Sequence, residues 1–90
     1  MEKKLNLHVD FSESVTQCFE LVKLHVNQYY GKVIVLIHFP MTTSYERATN
    51  FSLALQSQIN YRLRSKYIGV HYELFNSESG ILISRLLFRI

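Results

Sequence analysis

The chain contains no tryptophan, one cysteine, one proline and three glycines in 90 residues, and each scarcity removes a class of protein. A lone cysteine, Cys18, rules out an intrachain disulfide, so the fold must stand on its core, and a reducing cytoplasm is the expected compartment. Gly31, Gly69 and Gly80 lie too far apart to build a phosphate-cradling or dinucleotide-binding loop, and no Gly-x-Ser-x-Gly elbow occurs. The longest apolar run, Val33 to Ile37, falls far short of the roughly 20 residues that cross a bilayer, so no membrane is expected as a partner. The first ten residues have the basic flank of a secretion signal, but Asn6, His8 and Asp10 interrupt what would be its apolar stretch. Catalytic residues, metal ions and cofactors are not expected, and the chain is read as a non-enzyme.

What is present, 48% hydrophobic and 19% charged residues, describes one globular domain spanning residues 1–90. A chain of this size buries only about 60% of the surface its unfolded form exposes, which leaves a small core and favours oligomerisation or a partner. The net charge of +3 is unevenly placed: residues 1–45 balance four Lys against three Glu and one Asp. Residues 46–90 therefore carry the excess, with Arg47, Arg62, Arg64, Lys66, Arg85 and Arg89 against Glu46, Glu73 and Glu78. That asymmetry biases association toward polyanions.

Along the chain, Leu5, Leu7, Val9 and Phe11 alternate with Asn6, His8 and Asp10, the period of a half-buried strand over 5–11. Asp10 to Glu13, or Ser12 with its acidic neighbour, supplies a helix start. Val15, Phe19, Val22, Val26 and Tyr29 follow at helical spacing, and Gly31 is expected as the C-cap. Lys32 to Phe39 is apolar at nearly every position and reads as a central strand covered on both sides or nearly so. Pro40 stops it. Thr43-x-x-Glu46 reads as a capping box opening a long second helix, whose stripe is Ala48, Phe51, Leu55, Ile59, Leu63 and Tyr67. After Gly69, a strand over Val70 to Phe75, a loop of Asn76 to Gly80 and a final strand over Ile81 to Ile90 complete the order βαβαββ. The expected fold is a two-layer α/β sandwich: a four-stranded mixed sheet, strands one to three paired in parallel and the last hairpin antiparallel, with both helices on one face.

Such a sheet leaves its reverse face without a roof, unless one helix crosses to that side and buries it. Lys4, Asn6, His8, Ile34, Leu36, His38, His71, Glu73, Phe75, Ile83, Arg85, Leu87 and Arg89 would show there, a mixture too apolar for a merely solvated surface and too charged for a second core. Phe75, Ile83 and Leu87 are its candidate anchors for a partner. Arg85 and Arg89 share this face, and with Arg62, Arg64 and Lys66 at the end of the second helix, near Tyr61, Tyr67 and Phe75, they form the candidate nucleic-acid contact. Charged strand and helix faces are commonly just solvated, so this pattern has low specificity. His8, His38 and His71, with Asp10 or Glu73, would be chemically adequate for zinc. No local spacing supports that use, and surface or interface imidazoles are expected instead. Cys18, beside Val15, Phe19 and Val22, is expected to pack in the core.

The βαβαββ order within 90 residues resembles the Alba family of small dimeric nucleic-acid-binding proteins and the C-terminal domain of translation initiation factor three. It is a likeness of topology and length over the whole chain. The positions matching that family's basic turn and arm are Asp10-Phe11-Ser12-Glu13-Ser14 and Asn76-Ser77-Glu78-Ser79-Gly80, acidic and short, so its nucleic-acid surface does not carry over. Small sulfur-carrier proteins share the topology, but they need a reactive cysteine opening the first helix, and Cys18 lies deeper. The leading expectation is a non-catalytic cytoplasmic module that contacts DNA or RNA weakly, as a dimer or as an accessory subunit of a processing complex. The runner-up is a protein-interaction module, such as an accessory subunit or an inhibitor carried by a phage or mobile element.

Overall fold

Alternating side chains set the first strand, and a turn sets its end. In the computed structural model, which describes residues 2–63 and 69–90, β1 runs over Glu2–His8, about three residues N-terminal to where its periodicity alone places it. Asp10 accepts hydrogen bonds from the backbone N–H and the hydroxyl of Ser12, and Phe11 takes φ 66°, so the chain has left the sheet before the alternating pattern runs out. Helix α1 (Val15–Val26) begins at Ser14 rather than at the acidic residues upstream. The Ser14 hydroxyl accepts from Gln17 N at 3.1 Å while Gln17 Oε1 accepts from Ser14 N at 2.7 Å, a reciprocal cap written Ser-x-x-Gln. Its other end is capped by Asn27, followed by Gln28 at φ 63°, so Gly31 is not the cap. Gly31, at φ 140°, instead leads into β2 (Lys32–His38) and accepts a hydrogen bond from Ile90 N.

Pro40 and Thr43 close a turn in which both the backbone N–H and the hydroxyl of Thr43 donate to the Pro40 carbonyl. Thr43 is thereby occupied, and Ser44 caps α2 (Tyr45–Arg62) by accepting from Arg47 N. Ala48, Phe51, Ser52, Leu55 and Ile59 form the buried side of this helix, with Leu63 buried just after it, while Tyr67 lies outside the described residues. Strands β3 (Val70–Asn76) and β4 (Leu82–Arg89) are joined by a loop whose Ser77 bonds to Ile81 through backbone and hydroxyl, with Gly80 at φ 80°.

The element order is βαβαββ, and the four strands form one mixed sheet in the order β1-β2-β4-β3. β1 and β2 pair in parallel, and β4 is antiparallel to both of its neighbours. The expected direct pairing of the second and third strands is therefore replaced by β4, which sits between them. β4 buries Leu82, Ser84, Leu86 and Phe88 on one side and carries Ile83 and Leu87 on the other, so it takes the central place, while β3, buried at no position, takes the edge.

Helix α1 packs on β1 and α2, and α2 packs on β3 and β4, so both helices lie on one face. The core between the layers centres on Phe19, Val22, Val33, Val35, Ile37, Leu55, Ile59, Leu86 and Phe88, each 2% exposed or less. Each such side chain contributes about 1.5–3 kcal/mol relative to an exposed one. Ile34 and Leu36, on the other side of β2, are only half-buried, so the central strand is roofed on one face and not on two. No helix among the described residues is long and apolar enough to cross a membrane.

Candidate functional site

Sheet register arranges the helix-free face in four rows running from β1 through β2 and β4 to β3. Glu2, Lys32 and Arg89 form the first; Lys4, Ile34, Leu87 and His71 the second. Asn6, Leu36, Arg85 and Glu73 form the third, and His8, His38, Ile83 and Phe75 the last. Ile34, Leu36, Leu87 and Ile83 are half-buried by one another at the centre, and Phe75 is 38% exposed at the edge. The apolar positions therefore make one diagonal band across the middle of the sheet, flanked by charge at the Lys32 end and by imidazoles at the other.

The candidate cations among the described residues, Arg62, Arg85 and Arg89, do not converge. Arg85 is paired with Glu73, its neighbour across the β3–β4 ladder, which neutralises it in place. Arg62 lies in the helical layer, where it bonds Glu20 at 3.3 Å and stands over the Phe19 ring at 4.4 Å. Glu20 also pairs with Lys23 at 3.2 Å. Arg62 is thus on the opposite side of the molecule from Arg85 and Arg89, while Arg64 and Lys66 lie outside the described residues. Lys4, Lys32 and Arg89 make no ion pair among the described residues and share one end of the helix-free face. That face carries four cations, Lys4, Lys32, Arg85 and Arg89, against the carboxylates of Glu2 and Glu73.

The chain matches no protein-family model and no curated protein.

Of the three candidate histidines, His8, His38 and His71, the first two meet: their rings stack with centroids 4.4 Å apart, and His38 Nε2 lies 2.9 Å from Asn6 Oδ1, to which it donates. His71 stands on β3, separated from them by two rows and by β4, and no group of three or more His, Cys, Asp or Glu among the described residues is arranged to hold a metal ion. Partial burial, and then the neighbouring His8 charge, push the His38 imidazole below its ordinary range. Asp10 is held below the usual carboxylate range by the two hydrogen bonds from Ser12. Cys18 is 1% exposed, and burial, reinforced by Glu13, raises its thiol, which makes it a packing residue and a poor nucleophile.

Two features escaped the periodicity. Phe11, Phe39 and Phe51 form a cluster with centroids 5.8–5.9 Å apart, and Arg47 covers the Phe11 ring at 3.8 Å. Counting Phe11 as the last residue of a strand hid this, because the ring reaches the cluster only through the left-handed turn. Leu24, Tyr30 and Tyr61 are 72%, 83% and 78% exposed. Leu24 was passed over although the signal was there, since it falls off the stripe of Val15, Phe19, Val22 and Val26.

Proposed function

We propose that this protein is a non-catalytic docking module, acting as an accessory subunit or inhibitor, whose contact surface is the helix-free sheet face. The observation that carries the reading is the half-buried band of Ile34, Leu36, Ile83 and Leu87, ending in exposed Phe75 and left without a roof by the chain's own helices. A band of this kind supplies the anchors, and the surplus of positive charge around it steers toward a partner protein with an acidic surface. A buried single thiol is compatible with work in a reducing cytoplasm.

A second reading, weak contact with DNA or RNA, is favoured by Lys4, Lys32 and Arg89 at one end of the same face. Arg62 takes no part in it, being held by Glu20 in the other layer. One set of variants separates the readings. Affinity capture with the wild-type chain, Leu87→Ser and Arg89→Ala is compared with retention on heparin. A partner lost with Leu87→Ser, and little affected by salt, supports docking; salt-sensitive heparin retention that Arg89→Ala reduces, with no Leu87-dependent partner, replaces it with the nucleic-acid reading.

A further inference from the structure

The two outer strands of the sheet are built differently. β1 opens with Glu2, Lys3 and Lys4, and charged side chains, lysine above all, are how an edge is kept from pairing with other chains. β3 has no such protection. Its seven residues, Val-His-Tyr-Glu-Leu-Phe-Asn, include no lysine, proline or glycine, and its one charged side chain, Glu73, faces Arg85 of the neighbouring strand and stays exposed. Among the described residues no strand lies on its outer side.

We infer that β3 is a pairing edge and that its occupant is a second copy of this chain, joined antiparallel about a two-fold axis. In such a pair, directly opposite residues lie on the same face, so the axis must pass between one residue and its own copy in the other strand, and the side chains decide which residue that is. With Glu73 on the axis, two carboxylates meet directly, which is repulsive. Placing Leu74 there sets Glu73 against Phe75 and Tyr72 against Asn76, with no complementarity. With Tyr72 on the axis, His71 of each copy faces Glu73 of the other on the helix-free side, and Val70 faces Leu74 on the helical side. Both relationships are favourable, and both occur twice by symmetry. Val70, Tyr72 and Leu74, half-buried in the single chain, would then be covered. The two helix-free faces would join as one continuous eight-stranded platform.

This inference goes beyond the docking role, which a single chain can perform, and its test does not involve Leu87-dependent capture of a partner. Sedimentation velocity over about a hundredfold range of concentration should show a reversible monomer–dimer equilibrium in the wild-type chain. His71→Glu places like charges opposite each other at both symmetric positions and should weaken the dimer about tenfold. The swapped double variant H71E/E73H re-creates the pairing with its sides exchanged and should restore it, an outcome that general damage to the strand does not produce. Circular dichroism confirms that each variant is folded. A chain monomeric at every concentration overturns the inference. So does a dimer indifferent to His71 and abolished by Leu87→Ser, which would be assembled face to face.

Discussion

At Thr42 the backbone sits at φ 70°, a conformation a β-branched side chain adopts at a cost of about 1–2 kcal/mol. Thr42→Gly removes that cost and adds back some unfolded-state freedom, so a rise in melting temperature of a few degrees is expected in a thermal scan. Phe11, at φ 66°, is the contrasting case, because its ring is engaged by Phe39, Phe51 and Arg47, and Phe11→Gly should destabilise despite relieving the turn. Neither turn was legible, since backbone handedness at a non-glycine residue has no periodic signature. The fate of Cys18 was, because its neighbours at helical spacing are apolar. His38 carries the pH dependence at this scale. Its pKa is depressed in the fold relative to the ordinary 6.5, so its contribution is complete above that value and is lost as pH falls through the folded-state pKa. Melting temperature should hold steady at neutral pH and decline on acidification below about 6.5, and His38→Gln should make that decline shallower.

Among the elements, β4 combines the strongest burial with one polar intruder. Ser84 is fully buried in its middle, opposite Ile37 and Leu74, and its hydroxyl has no hydrogen-bond partner among the described residues. Ser84→Ala should therefore be neutral or stabilising by about 1 kcal/mol in urea titration, against the usual direction for a core substitution. Ser52, equally buried in α2, differs because its hydroxyl donates to Ala48 O at 2.8 Å, so the same change there has no such benefit. The existence and type of all six elements could be read from apolar spacing, as could the sides on which their residues fall. Their starts could not, because Asp, Ser and Thr clusters offer several equivalent caps, and only the hydrogen bonds select Ser14 and Ser44. The partner of each strand was equally hidden, since alternation reports which face a residue occupies and nothing about which neighbour lies beside it.

For the whole molecule, the decisive asymmetry is between the two sides of the sheet, and Leu86 and Leu87 measure it as adjacent residues facing opposite ways. Leu86→Ala, in the core, should cost about 2–5 kcal/mol, and Leu87→Ala about 1 kcal/mol or less, both read from denaturant unfolding of the isolated chain. Equal losses would mean that the helix-free face is covered. That face was foreseeable from which residues alternate with the core, and so was the separation of Arg62, on a helix, from Arg85 and Arg89 on the opposite face of the sheet; the pairing of Arg62 with Glu20 was not, because it depends on how two helices meet. The insertion of β4 between β2 and β3 also constrains how the chain is made. As the polypeptide leaves the ribosome, everything up to Asn76 can emerge while the centre of its sheet is still an empty slot, because the strand that fills it is translated after both of its neighbours. Until then β2 and β3 have no ladder to share, so the nascent chain should stay sensitive to protease, and nonsense changes upstream of Leu82 should yield products that are degraded and not shortened, working domains.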